Sequence, residues 1–126
     1  MSTRHNNQHR LLIIESDDLS RETISDFFSE IGLAHKAASG AEGIKLFKKS
    51  LHTGEKYNFI IIDSEISGKM TTMALINRIR IFDSEIKVIL TGKRGSFLFS
   101  NFRNYGFTDI LEKPFSSEKL KSKLVS

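Results

Sequence analysis

The sequence predicts an α/β protein in which a doubly wound, five-stranded parallel β-sheet is covered by five helices, with helices on both faces. Three observations indicate this fold class. The run Phe59-Ile60-Ile61-Ile62 is wholly apolar, which is typical of a strand that is buried on both faces. Strand-like runs alternate with segments of helical periodicity, as parallel β-α-β units require. Four strand-like runs lead into polar residues, at the sheet edge where such folds place their ligands.

Five segments have the length and composition of strands. All are rich in apolar residues and are bounded by polar or turn residues. They are residues 11–14, 33–38, 57–62, 86–90 and 108–111. The segment 33–38 has the weakest pattern, and 57–62 is predicted to be the central strand.

Five helices fill the segments after these strands. They are predicted over residues 18–31, from Ser39 to the turn at 53–55, from 70 to about 80, over 93–105, and from 116 or 117 to about 124. Apolar residues at helical spacing mark the buried faces of the first three: Ile24, Phe27, Phe28 and Ile31; Ile44, Phe47 and Leu51; Met73, Ile76 and Ile79. Candidate N-caps are Asp17 or Asp18, Ser39, and Ser116 or Ser117. Gly32 is expected to stop the first helix, whereas Gly92 and Gly95 weaken the start of the fourth.

The composition is that of one ordinary globular domain. The 126 residues, of which 39% are hydrophobic and 27% charged, suffice for a single core. We assign residues 11–126 to this domain and residues 1–10 to a polar, disordered lead without the apolar segment of a secretory signal. No apolar stretch approaches the roughly 20 residues that a membrane span needs. The absence of Cys excludes thiolate sites and suits a cytoplasmic location.

The net charge of +4 raises the question of nucleic-acid binding. The Lys and Arg residues are spread over several helices, and no aromatic residues alternate with them as in a base-stacking surface. We therefore do not expect this domain to bind nucleic acid directly.

The polar residues at the strand ends would form one site. In the flavodoxin-like strand order 2-1-3-4-5, Glu15 and Asp63 face each other where the order changes direction. A carboxylate can attack phosphorus and form an acyl phosphate, and this transfer needs cations and hydrogen-bond donors around it. Lys113 would supply an ammonium and Thr91 a hydroxyl. The sequence thus indicates a phosphoryl-transfer site, which a divalent ion held by acidic side chains would complete.

Four segments resemble the receiver domain of two-component response regulators. They are Leu12-Ile13-Ile14-Glu15-Ser16-Asp17-Asp18, Tyr57-Asn58-Phe59-Ile60-Ile61-Ile62-Asp63, Val88-Ile89-Leu90-Thr91-Gly92 and Leu111-Glu112-Lys113-Pro114-Phe115. The resemblance covers about residues 10–125, and its most specific part is the Lys-Pro-Phe element with its distance from Thr91. It implies that Asp63 is the phosphoacceptor, Thr91 the switch hydroxyl and Lys113 the phosphate-contacting lysine. Gly92 stands where the family prefers a small residue beside the phosphoryl group.

The same resemblance implies a cofactor and partners. The implied ligands of Mg²⁺ are Glu15, Asp63 and the backbone carbonyl of Glu65. A histidine kinase or a phosphotransfer protein would donate the phosphoryl group. A downstream protein would bind the switched domain, which is not expected to be an enzyme.

Several residues depart from the family pattern. Ser16 stands at the position of the second acid, which normally binds the metal directly, so we expect Mg²⁺ to bind weakly. Asp17 would reach the ion only if the turn is rearranged. Ile66-Ser67 and Met70-Thr71 replace the Met-Pro and Asp-Gly pairs that usually follow the phosphoacceptor. Ile110 replaces the usual Tyr or Phe and cannot perform the aromatic rotation that is coupled to the threonine. We expect phosphorylation to be weaker or slower than in standard receivers.

Aromatic residues are concentrated in the last third of the chain. They allow two interpretations, an aromatic-rich core or an exposed apolar surface for a partner. In receivers, the face formed by the fourth helix, fifth strand and fifth helix commonly binds effectors or a second copy of the domain. The residues of this predicted partner face are Phe97, Phe99, Phe102, Ile110 and Phe115. The histidines indicate no metal site, and we expect His35 and His52 to be isolated at the surface.

Two hypotheses about function remain open from the sequence. The first is an atypical receiver that is phosphorylated on Asp63 and then switches its partner face. The second is a degenerate receiver that binds proteins independently of phosphate, which the residues at positions 16 and 110 motivate. A flavin-binding or hydrolytic enzyme on the same fold is not favoured, because no Gly-rich phosphate loop follows the first strand.

Overall fold

The computed structural model describes residues 9–125, and these contain one parallel β-sheet. Its strands are β1 (His9–Ile14), β2 (Gly32–Ala37), β3 (Phe59–Asp63), β4 (Lys87–Lys93) and β5 (Asp109–Lys113). The strands are hydrogen-bonded in the order β2-β1-β3-β4-β5, and each neighbouring pair is parallel. The predicted fold class and strand order are confirmed.

The helices lie between the strands and on both faces of the sheet. They are α1 (Asp18–Phe28), α2 (Gly40–Thr53), α3 (Thr72–Phe82), α4 (Phe102–Tyr105) and α5 (Ser117–Val125), and a 3₁₀ helix (Phe97–Asn101) precedes α4. Side-chain oxygens of Asp17, Ser39 and Ser116 accept backbone N–H groups of the first turns of α1, α2 and α5, which confirms these predicted N-caps. Among the described residues, no helix combines the length and hydropathy that a bilayer crossing requires.

The alternation of side chains along β1 divides the core into two layers. Leu11 and Ile13 point toward α1 and α5, whereas Leu12 and Ile14 point toward the layer of α2, α3 and α4. All five residues of β3 are buried, as expected for the central strand. Full burial of each such aliphatic side chain contributes about 1.5–3 kcal/mol. The edge strand β2 buries only its last residue, which explains why its sequence pattern is weak.

The segment between β4 and β5 differs from the single helix predicted over residues 93–105. Strand β4 continues to Lys93, because Lys93 still pairs with Lys113 of β5. Gly95 then adopts φ 78°, a left-handed conformation that interrupts any helix starting at residue 93. The helical structure that follows consists of the 3₁₀ helix and the four-residue α4.

Two predicted boundaries are also wrong. Helix α1 ends at Phe28 because the amide and hydroxyl of Ser29 both bind the carbonyl of Asp26, which tightens the last turn. Gly32 is therefore not the helix stop but the first residue of β2. At the amino end, His9 and Arg10 belong to β1, and the rest of the predicted lead lies outside the described residues.

His35 is not isolated, contrary to the prediction. Its Nδ1 lies 2.7 Å from the hydroxyl of Tyr57. The imidazole and tyrosine rings pack edge-on. The guanidinium of Arg10 lies over the same tyrosine ring. Burial, together with the charge of Arg10, holds the pKa of His35 below its usual value, so the imidazole is neutral at neutral pH.

Candidate functional site

Four polar side chains meet at the carboxyl edge of the sheet. Asp63 is the last residue of β3 and pairs in register with Thr91 of β4. Lys113 ends β5, and Glu15 directly follows β1. The ammonium of Lys113 lies 2.8 Å from Oδ1 of Asp63 and 2.5 Å from Oε1 of Glu15. Because parallel strands end at one edge, the structure brings together the positions 15, 63, 91 and 113 that the sequence singled out.

The carboxylate of Asp63 is buried, and both of its oxygens accept hydrogen bonds. The hydroxyl of Thr91 donates to Oδ1 at 3.0 Å, and Lys113 contacts the same oxygen. The backbone N–H of Glu65 donates to Oδ2 at 2.9 Å. Asp63 is 6% exposed and Thr91 0%. A fixed hydroxyl, a backbone donor and an ammonium thus surround one carboxylate, which is the donor set that stabilises negative charge around a transferred group.

The electrostatics of this cluster depend on Lys113. Burial by itself would lower the pKa of Lys113, but its hydrogen bonds to Asp63 and Glu15 outweigh this effect and raise the pKa above the usual lysine value. The side chain therefore carries a positive charge at neutral pH. One cation serves two carboxylates that are almost completely buried, with side-chain exposures of 2% for Glu15 and 9% for Asp63.

Ser16 lies beside this cluster, but its side chain is bound elsewhere. Its hydroxyl donates to the carbonyl of Ala38 at 2.7 Å. It accepts the backbone N–H of Ser67 at 2.7 Å and the hydroxyl of Ser67 at 3.0 Å. Next to it, Ser39 and Ser67 form an isolated parallel β-bridge. We call Ser16, Ala38 and Ser67 the Ser16 clasp, because they join the ends of β1 and β2 to the loop after β3.

The carboxylate of Asp17 is engaged at the start of α1, and Asp17 also lines the larger of the two cavities at the site. Its Oδ2 accepts the backbone N–H of Ser20 at 2.9 Å and so caps α1. This hydrogen bond from Ser20 is the main reason that the pKa of Asp17 lies below its usual value. The N-cap role that the sequence suggested for Asp17 is therefore the one that the geometry gives it.

Gly92 allows close packing beside Asp63. A Cβ at this position would lie 2.6 Å from Oγ of Ser64 and 3.3 Å from Cζ of Phe99. Larger residues at this position would displace Ser64, the residue that follows Asp63. Two cavities of about 600 Å³ and 860 Å³ open on either side, and both are lined in part by Asp63 and Lys113.

Sequence reasoning missed two contacts at this site. Thr72 donates its hydroxyl to the backbone carbonyl of Asp63 at 2.8 Å and is itself buried. The backbone N–H of Glu65 contacts Asp63, and the role of the Glu65 carbonyl as a ligand of Mg²⁺ stays a prediction. Thr72 follows the N-cap Thr71, so a Thr-Thr pair at the start of a helix was the available signal.

The residues of the predicted partner face differ in exposure and in the core layer that they contact. Phe97 is 81% exposed. Phe99, Phe102 and Ile110 are partly buried against the core layer of α2, α3 and α4. Phe115 belongs to the opposite layer, where its ring lies 6.3 Å from that of Phe27. Most of these side chains thus serve the core, and Phe97 is the one that extends from it.

Comparison with known protein families gives a match over nearly all of the described residues. The family model of the response regulator receiver domain matches residues 11–125, nearly the whole chain. The chain belongs to the response regulator receiver family.

Related receivers share little sequence identity with this one. The probable chemotaxis protein CheY of Rhizobium etli is 25% identical over 118 residues, which are 90% of this chain and 87% of that protein. The transcriptional regulatory protein CrdR of Helicobacter pylori is 22% identical over 93% of this chain. The chain spans about half (54%) of the length of that regulator.

Solved structures show the same fold. A response regulator receiver domain protein from Clostridium thermocellum superposes with a TM-score of 0.82 at 19% identity, covering 92% of this chain and 90% of that one. The chemotaxis protein CheY4 of Vibrio cholerae gives a TM-score of 0.81 at 20% identity, covering 93% and 96%. Receivers are signalling modules of two-component systems, and phosphorylation and Mg²⁺ binding at the acidic pocket are general to the family.

The side chains of this receiver do not fit the usual set of Mg²⁺ ligands. Ser16 stands where the family resemblance implies the direct acidic ligand, and its hydroxyl is bound within the Ser16 clasp. Glu15 and Asp63 already share the ammonium of Lys113. Over residues 9–125, no group of three His, Cys, Asp or Glu side chains is placed to hold a metal ion.

Proposed function

We propose that this receiver accepts a phosphoryl group on Asp63 from the phosphohistidine of a histidine kinase or a phosphotransfer protein. The observation that carries the proposal is the contact between Lys113 Nζ and Asp63 Oδ1 at 2.8 Å, with the hydroxyl of Thr91 on the same oxygen. A nucleophile, a fixed cation and a hydroxyl donor thus occupy one small pocket at the carboxyl edge of the sheet.

The transfer is a displacement at phosphorus. A carboxylate oxygen of Asp63 forms the new O–P bond while the N–P bond of the phosphohistidine breaks, and the leaving imidazole takes a proton from solvent. The phosphoryl oxygens then receive donors that the carboxylate holds beforehand: the ammonium of Lys113, the hydroxyl of Thr91 and the N–H of Glu65. Because these donors are already in place, little reorganisation is needed during the reaction.

The phosphoryl group would act on a partner through Thr91. Its hydroxyl leaves the carboxylate oxygen to follow a phosphoryl oxygen, which shifts the population toward a partner-binding state. Ile110 stands at the position of the aromatic switch residue, and its aliphatic side chain is partly buried against the core. We propose Phe97 as the exposed part of the partner face, for a downstream protein or a second copy of the chain. A cytoplasmic location agrees with the absence of Cys.

The test is incubation with acetyl phosphate, followed by intact-protein mass spectrometry. We expect one added phosphoryl group on the unmodified chain and none on Asp63→Asn, which keeps the size of the side chain. A beryllofluoride titration followed by NMR gives the same comparison without turnover. Absence of any adduct, also at high Mg²⁺, would remove the proposal.

A second candidate function is a phosphate-independent interaction module. The Ser16 clasp favours it, because a loop that is tied to β2 by hydrogen bonds already has a fixed conformation. If Asp63→Asn leaves partner binding and signalling unchanged, this second function is supported over the first.

A further inference from the structure

The part of the pocket around Ser16 suggests how this receiver balances charge. We propose that its acidic pocket holds no resident divalent cation, that Lys113 is the permanent counter-charge of Glu15 and Asp63, and that Ser16 is a positioning residue. The inference deepens the proposed function. It rests on that function for the purpose of the pocket, whereas the charge balance is argued from the contacts alone.

The hydroxyl of Ser16 has no capacity left for a cation. A serine hydroxyl offers one donor and two acceptor sites. The donor is used by the carbonyl of Ala38, and the acceptor sites are used by the amide and the hydroxyl of Ser67. A cation at this oxygen would have to displace a hydrogen bond from Ser67. Ser16 therefore lacks both the charge and the lone pair of a metal ligand.

The two remaining carboxylates are already neutralised in part. Lys113 lies 2.5 Å from Glu15 and 2.8 Å from Asp63, so its ammonium occupies the space between them. Glu15 uses its second oxygen, Oε2, to accept the backbone N–H of Asp17 at 3.1 Å. A divalent ion that binds here must approach a fixed positive charge, and this repulsion lowers its affinity.

The two acidic residues that follow Ser16 are engaged in other contacts. The carboxylate of Asp17 caps α1 through Ser20. The carboxylate of Asp18 is paired with Arg21, whose guanidinium also binds the carbonyl of Glu15. Arg21 thus brings a second cation to the same turn.

The test is a titration with Mn²⁺ and Mg²⁺ in the absence of any phosphate, followed by NMR of the amides of Glu15, Asp63 and Glu65. For the unmodified chain we expect no saturable broadening or shift at millimolar concentrations. Ser16→Asp should bind Mn²⁺ saturably, with an affinity at least tenfold above that of the unmodified chain, since the number of charged ligands sets the affinity of such sites. Ser16→Ala is the matched control, because it opens the clasp without adding charge and should gain nothing.

Lys113→Met provides an arm that leaves Ser16 unchanged. Removal of the counter-charge should give the Glu15–Asp63 pair a measurable affinity for Mn²⁺, and this arm decides the question if Ser16→Asp does not fold. Saturable binding of Mg²⁺ below millimolar concentration by the unmodified chain, or a gain in Ser16→Ala, would overturn the proposal. No gain in Lys113→Met would overturn the counter-charge role of Lys113.

The failure of this inference and the failure of the proposed function are distinguishable. The divalent titration contains no phosphoryl donor, so it does not depend on whether Asp63 is a phosphoacceptor. If Asp63 forms an adduct only when a saturating divalent ion is present, the proposed function survives and the present inference does not.

Discussion

The two halves of the pocket are held together by different kinds of contact. On the phosphate side, formed by Asp63, Thr91 and Lys113, a buried carboxylate receives a hydroxyl and an ammonium. In the Ser16 clasp, neutral hydrogen bonds between a side chain and two loops stand where a second carboxylate would hold a metal. The difference predicts that the two halves can be changed separately, because the clasp lies at the ends of β1 and β2 and in the loop after β3, whereas the phosphate side lies at the ends of β3, β4 and β5.

The largest effect is expected from a substitution that removes the cation of the phosphate side. Lys113→Met leaves Glu15 and Asp63 buried without their cation, and we expect a loss of about 3 kcal/mol in the free energy of unfolding at neutral pH. Urea unfolding measures this loss. The control is Lys121→Met, whose partner Glu30 is on the surface, and it should change little. Equal losses in the two variants would contradict the structural importance of Lys113.

The same ion cluster has a defined pH dependence. The pKa of Lys113 is raised in the folded state above 10.5, the usual lysine value. Its contribution to stability is therefore complete below pH 10.5, the usual lysine value, and is lost as the pH rises through the higher pKa of the folded state. Stability measured between pH 7 and pH 9 should therefore show no loss due to this group.

A smaller effect tests how tightly the phosphate side is packed. Gly92→Ala places a Cβ 2.6 Å from Oγ of Ser64, so we expect a loss of about 1–2 kcal/mol and a lower Tm. The double variant Gly92→Ala with Ser64→Ala removes the colliding oxygen and should recover part of the loss. No recovery would mean that the strain lies against Phe99 or the Cβ of Ser64, both 3.3 Å from the added Cβ.

The Ser16 clasp should have a still smaller energetic role. Ser16→Ala removes hydrogen bonds that lie near solvent, and we expect a loss of about 1 kcal/mol. Hydrogen exchange of the Ser67 amide should accelerate, while exchange on the phosphate side stays unchanged. A double-mutant cycle with Ser67→Ala isolates the hydroxyl–hydroxyl contact. If exchange at Glu65 changes as much as at Ser67, the two halves are not separable.

The smallest expected effect is the contribution of His35 to the pH dependence of stability. His35 lies outside the pocket. The pKa of His35 is lowered by burial and by Arg10, so its contribution to stability is present above 6.5 and is lost as the pH falls through the lower folded value. His35→Gln should flatten the acid side of the stability profile by less than about 1.4 kcal/mol, the equivalent of one pKa unit. His52→Gln, at an exposed position, should keep the original slope.

The sequence was sufficient for those features that depend on strand pattern. The apolar run 59–62 predicted a central strand, and Asp63, Thr91 and Lys113 were placed together because parallel strands end at one edge. The N-cap at Asp17 followed from the same local rules.

Features that depend on contacts distant in sequence could not be predicted in this way. The hydroxyl of Ser16 is bonded to Ser67, 51 residues away, and a sequence pattern of single serines carries no information about such a pair. The short helical segment before β5 depends on the pairing of Lys93 with Lys113. His35 looked isolated because its partner Tyr57 lies 22 residues away, in the loop before β3.

The bond from the Thr72 hydroxyl to the Asp63 carbonyl gives the fold a mechanical coupling. Thr72 is the first residue of α3, and Asp63 is the last residue of β3. A movement of the Asp63 backbone must therefore either break this buried bond or pull the first turn of α3 along with it. The first turn of α3, nine positions further along the chain, is in this way bonded directly to the residue on which the chemistry would take place.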